Sequence, residues 1–128
     1  MAKRLSIQGS VIVEPVAGVS DGRPSITTPQ DNYQILKGSK LVDELTLTSD
    51  APVSIALENL AAAHFLAIRV VGGGCKVTLT NTYGTQNVWC NPWLLLQMND
   101  TTAPITGLSI TRPAAVPVVV TILMGEKA

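Results

Sequence analysis

Histidine occurs once in the chain, as His64, at the head of an apolar stretch with no acidic residue beside it. A nucleophilic Ser, Thr or Cys needs a base within reach. With one histidine in this setting, the reading is a structural side chain satisfied by backbone. Cys75 and Cys90, taken with His64, lack the paired short spacing of zinc ligands, and no metal or cofactor is implied. The acidic neighbours Asp43 and Glu44 would point to opposite faces of a strand, so they do not converge as the acid and base of a hydrolase. Gly72-Gly73-Gly74 is followed by neither Lys-Ser/Thr nor a helical pattern, both of which a phosphate loop requires, and it reads as a turn. Asn99-Asp100-Thr101 fits the glycosylation sequon by chance. No catalytic residue emerges, and the chain is not expected to be an enzyme.

Two constellations invite a physical rather than a catalytic role. Tyr83, Trp89 and Trp93 fall within eleven residues, and the two tryptophans straddle Asn91-Pro92, a corner. One tryptophan can cap the core while the other anchors a neighbouring subunit, or the group can stack on a sugar. If Tyr83-Gly84 centres the turn of a hairpin, position 77 faces 90 and Cys75 lies diagonal to Cys90 on the same face. Diagonal partners sit roughly 7–8 Å apart, at the limit for a bridge, so free, buried thiols are expected.

Many short strands must position these residues. Period-two alternation rich in β-branched residues, punctuated by Gly, Pro, Asn and Asp, recurs along the chain. The strands are placed at 5–13, 33–37, 41–48, 52–57, 64–71, 75–82, 86–90, 93–98, 105–112 and 117–124. Leu41, Asp43, Leu45 and Leu47 are expected to share one face, and 64–71 to be covered on both. Gly72-Gly73-Gly74 is expected to close a hairpin, and Glu58–Ala63 to form a single helical turn linking two sheets. The segment Glu14–Asn32, with Pro15, Pro24 and Pro29, reads as a long loop or arm. Turn signals about every 8–12 residues favour an antiparallel all-β arrangement. A two-sheet, jelly-roll-like β-sandwich formed by the 128 residues as one domain is the expectation.

Charge is scarce: 14% of residues are charged, against about 25% in an ordinary soluble domain. Thirteen of the eighteen charges lie in residues 1–69, and 70–125 holds only Lys76, Asp100 and Arg112. That half therefore either forms a contact surface or is paved with Thr, Ser, Asn and Gln. Zero net charge opposes nucleic-acid binding. Lys3-Arg4 run into Leu5-Ser6-Ile7-Gln8-Gly9 without the apolar core of a secretory signal. The longest uncharged apolar run, near Ala114–Met124, is too short to span a bilayer. A soluble protein with neither nucleic-acid nor membrane partners is expected.

The run His64-Phe65-Leu66-Ala67-Ile68-Arg69-Val70, the glycine turn, Cys75–Thr80, Trp93-Leu94-Leu95-Leu96, Ile105–Ile110 and the final Val118–Glu126 resembles small virion proteins of tailed bacteriophages. The resemblance covers about half the chain and lies in texture rather than a diagnostic motif. It implies a β-sandwich that decorates or cements a capsid, or belongs to a fibre or tail, without catalysis and commonly as a trimer. The implied partners are the phage major capsid protein or another virion protein, and the implied location is the virion, assembled in the host cytoplasm. Tyr83, Trp89, Trp93 and, in the arm, Pro15, Arg23 and Pro24 are then the candidate contacts. A glycan- or receptor-binding module of a fibre or tail is the alternative.

Overall fold

A computed structural model describes residues 3–6, 10–12, 25–27, 33–98, 102–112 and 116–128. The described residues form eleven strands and no helix: β1 (Lys3–Ser6), β2 (Ser10–Ile12), β3 (Ser25–Thr27), β4 (Tyr33–Leu47), β5 (Val53–Ser54), β6 (Phe65–Val71), β7 (Cys75–Asn81), β8 (Gly84–Cys90), β9 (Trp93–Gln97), β10 (Gly107–Thr111) and β11 (Val118–Lys127). One sheet has the order β1-β4-β11-β6-β9 and the other β5-β10-β7-β8, with β2 and β3 paired apart from both. Every pairing is antiparallel. Leu47, Leu66, Ile68, Val70, Val120, Ile122 and Met124 of the first sheet meet Cys75, Val77, Leu79, Leu108 and Ile110 of the second in one buried cluster, which makes the molecule an antiparallel β-sandwich.

The chain crosses between sheets at almost every connection from β4 onward; β7–β8 is the one hairpin among these consecutive strands. The glycine run 72–74 is therefore not a hairpin turn but a corner between sheets. Gly72 and Gly73 have φ of 95° and 149°, where side chains are disfavoured, and a Cβ on Gly72 would lie 3.1 Å from the Pro117 carbonyl oxygen. Residues 58–63 form no helical turn. Leu60 N–H donates to the Leu57 carbonyl in an isolated turn, since six residues cannot sustain helix nucleation.

Of the first expected strand, 5–13, the described residues belong to β1 and β2. The two expected at 33–37 and 41–48 fuse into β4, which runs through Gly38 because β11 pairs with it along most of its length. A bulge at Asp43–Glu44, with Glu44 at φ 50°, inserts the extra residue that re-aims the strand. Val42, Leu45 and Leu47 consequently pack on the core and Leu41 and Asp43 are exposed, so the four residues expected on one face do not share it. Of the expected arm 14–32, only β3 is described, paired with β2; Pro15, Arg23 and Pro24 lie outside the described residues.

A candidate contact face at the edge of the sandwich

The two sheets present outer faces of opposite character. On the first, the register aligns Leu41, Leu123, Ala67 and Leu95 side by side across β4, β11, β6 and β9. Successive strands lie about 4.8 Å apart, so these four side chains form one continuous row. Leu41 is 59% exposed, at a level where β11 is the one described neighbour of β4, and Leu123 is 38% exposed in the middle of the sheet. One row along, Thr121 faces Arg69 and Arg69 faces Trp93, with the Asp43–Glu44 bulge on the far side of Thr121. Beyond that, Val119 pairs with the exposed Val71. An open depression of about 590 Å³ lies on this face, bounded by Arg69, Pro92, Trp93, Leu95, Thr121 and Leu123. The strand β6 is thus covered on one face only. Phe65 alone of its outward residues is buried, because Leu36 folds over it where Gly125 leaves room; a Cβ on Gly125 would come within 2.9 Å of Leu36 Cδ1.

The outer face of the second sheet is paved with uncharged polar groups. Ser54, Ser109, Thr78 and Asn87 stand in line across β5, β10, β7 and β8, and Thr78 Oγ1 donates to Asn87 Oδ1 at 2.8 Å. The deficit of charge after residue 69 therefore has two physical forms: hydroxyl and amide groups on one sheet, aliphatic and indole groups on the other. The exposed leucines and valine of the strands lie on the first sheet, and the second exposes Trp89.

The aromatic residues do not assemble into one platform. Tyr83 sits in the β7–β8 turn and is 77% exposed, six residues, or roughly 20 Å of strand, from Trp89. Trp89 alternates with the core-facing Val88 and Cys90, so it stands on the outer face of the second sheet, beside Lys76. Its indole lies over Gly74, where a Cβ would be 2.3 Å from Cζ2. Trp93 alternates with Leu94, which packs on the core, and stands on the outer face of the first sheet. The two tryptophans, joined by the cis Asn91-Pro92 corner, thus leave opposite sides of the sandwich, 57% and 61% exposed. Neither caps the core.

The cysteine register departs from expectation. The hairpin turns at Thr82-Tyr83, with Asn81 paired to Gly84, and Cys75 lies directly opposite Cys90 rather than diagonal to it. Both thiols are free and fully buried. Burial, reinforced by the neighbouring Cys90, pushes the Cys75 thiol up to about 12, and burial raises Cys90 as well. His64 is buried, with Nδ1 accepting the Lys127 backbone N–H at 3.1 Å. Glu126 accepts the Ala61 N–H at 3.3 Å, and the Arg112 guanidinium pairs with Asp50 at 3.2 Å. These polar groups serve the ends of the sandwich. Among the described residues, no three His, Cys, Asp or Glu gather closely enough to hold a metal ion.

No family model matches the chain, and no curated protein or solved structure does so either.

Sequence reasoning singled out Trp93 but missed Leu41, Arg69, Val71, Leu95 and Leu123. The signal was present in Val119-x-Thr121-x-Leu123 and Trp93-x-Leu95, alternations that place apolar residues on the second face of strands whose first face is already core.

Proposed function

We propose that the chain is a structural virion protein of a tailed bacteriophage, non-catalytic, which decorates or cements the capsid through contacts between copies of itself and with the shell. The observation that carries this reading is the outer face of the first sheet, where Leu41, Leu123, Leu95, Val71 and Trp93 all stand in solvent. A face of this kind is stable in a soluble protein when another surface covers it.

Its charges favour a second copy as the cover. The acidic bulge Asp43–Glu44 on β4 and Arg69 on β6 flank β11, and Arg69 belongs to neither the Lys40–Glu58 nor the Arg112–Asp50 ion pair. A two-fold axis along β11 sets Arg69 of each copy against the bulge of the other, with Leu123 against Leu123 and Leu41 against Ala67. Such an arrangement is self-complementary in both charge and apolarity. The sheet orders β4-β11-β6-β9 and β5-β10-β7-β8 support reading the sandwich as a jelly roll built from two Greek keys. In this reading the segment 14–32, with Pro15, Arg23 and Pro24, lies against neighbouring shell subunits.

Co-sedimentation of the purified chain with bare phage heads, followed by imaging of the added density, tests the proposal. Saturable binding that is lost on deletion of 14–32 supports it, and failure to bind any shell overturns it. A glycan-binding role in a fibre or tail is the second reading. It rests on Trp89, which shares its face with Lys76 and the Ser54–Ser109–Thr78–Asn87 line. Calorimetric sugar binding that disappears in Trp89→Ala would favour that role.

A further inference from the structure

We propose that Cys75 and Cys90 are a dithiol modification site, which a disulfide oxidant closes into a cross-strand bridge stapling the β7–β8 edge. The inference stands on the register of the hairpin and is independent of the virion reading.

Directly opposed residues of an antiparallel pair have Cα atoms roughly 4.5–5.5 Å apart, inside the range of about 4.4–6.8 Å that a disulfide spans. Cys75 and Cys90 are opposed in this way. Their side chains also point the same way, since both are fully buried in the shared core between the sheets. Cys90 Sγ makes a weak 3.9 Å contact with the Ile68 carbonyl and a side-chain hydrogen bond with Cys75 itself, which the bridge would replace. Two thiols so placed need no backbone rearrangement to join.

The reaction requires an oxidant such as oxidised glutathione. A cysteine thiolate attacks the glutathione disulfide, forming a mixed disulfide and releasing one glutathione thiolate. The second cysteine, as thiolate, attacks the mixed disulfide, forming the Cys75–Cys90 bond and releasing the second glutathione. The two protein S–H protons pass through solvent to the two released glutathione thiolates, the dithiol is oxidised by two electrons, and the glutathione disulfide is reduced to two thiols. Burial sets the rate. A fully covered thiol with a raised pKa holds little thiolate, so attack waits on transient opening of β8. That strand is suited to open, because it is the outer strand of its sheet and Gly84–Asn87 are all exposed. Once formed, the bridge fixes Cys90 between Trp89 and the corner that leads to Trp93, and so holds both exposed indoles to one rigid edge.

The test is incubation of the full reduced chain with oxidised glutathione at mildly alkaline pH, acid quenching, and intact mass and peptide mapping without reductant. The expected product has lost two hydrogens, carries no glutathione, and yields a linked Cys75–Cys90 peptide. It forms slowly in buffer and much faster in denaturant below the unfolding midpoint, and it melts roughly 5–15 °C above the reduced chain. Cys90→Ala under the same sub-denaturing conditions should instead accumulate a glutathione adduct on Cys75. Stable adducts on both cysteines of the wild-type chain would overturn the proposal. So would thiols that stay unbridged after unfolding and refolding in the same redox buffer.

Discussion

Trp93→Ala separates folding from assembly, because the indole divides between protein and solvent in a known proportion. Trp buries up to about 250 Å², and 61% of the residue is exposed, so roughly 150 Å² remains for a neighbouring copy to cover. At about 25 cal/mol per Å² this amounts to ~4 kcal/mol for complete coverage. Partial coverage and side-chain ordering reduce it to about 2–3 kcal/mol. A two-fold contact holds the Trp93 of both copies, so the two losses add and self-association should weaken roughly 10³- to 10⁴-fold. The part of the indole already covered within the chain, about 100 Å², gives a folding loss of only about 1–2 kcal/mol once the compactness of the unfolded state is included. The melting temperature should fall by roughly 3–10 °C. Sedimentation velocity over a concentration series reads the first effect, and calorimetric melting at a concentration where both proteins are monomeric reads the second. An unchanged association constant in a folded Trp93→Ala protein would refute the placing of Trp93 in the contact.

Three other outcomes follow from the geometry. Arg69→Glu should lower self-association about 10-fold or more by setting like charges together, and adding Asp43→Arg should restore much of it; a double variant no better than the single one would dismiss the reciprocal pairing. Ile122, fully buried on β11 between Val42 and Ile68, should cost about 2–5 kcal/mol on replacement by Ala, read as a lowered denaturant midpoint with the slope unchanged. Cys75 titrates near 9.0 when exposed and about 12 when folded, so above pH 9 the unfolded chain releases a proton that the folded chain keeps. Its contribution is intact below pH 9 and is lost as pH rises towards 12, by at most about 1.4 kcal/mol per pH unit. That increment of alkaline slope should be missing in Cys75→Ala.

Much of the sandwich is legible in the sequence because its strands obey a simple period. Val118, Val120, Ile122 and Met124 alternate into the core, as do Cys75, Val77 and Leu79, and the strands carrying them lie close to where alternation puts them. What the pattern does not carry is relative position. A bulge such as Asp43–Glu44 is one inserted residue, invisible until the partner strand fixes which residues are opposed, and it reverses the face of everything beyond it. The cysteine register turned on a similar ambiguity. Gly84, at φ 120°, looked like the centre of the turn, but Asn81 Oδ1 accepts the Tyr83 N–H at 2.8 Å and draws the turn forward. Asparagine's habit of bonding backbone two residues on was the available signal.

The contact face was half legible. Low charge after residue 69 allows an apolar contact surface or a hydroxyl-rich one, and the fold carries an exposed apolar face on one sheet and a line of hydroxyl and amide groups on the other. Trp93 was recognisable by type, whereas Leu41, Arg69 and Leu123 join it only through cross-strand register across four strands. Such neighbours are distant in sequence, and no local pattern brings them together. Glycine corners had the same limitation: Gly72-Gly73-Gly74 marks a reversal of direction, but whether the chain returns in the same sheet or the facing one depends on the whole strand order.

The decisive measurement is sedimentation equilibrium of the wild-type chain, from well below to well above micromolar concentration. Coverage of the first sheet's outer face by a second copy predicts a mass that rises from one chain to two as concentration increases. A three-chain limit would replace the two-fold arrangement with a trimer. A single-chain mass throughout, with Trp93 and Leu123 still in water, would contradict self-assembly through this face.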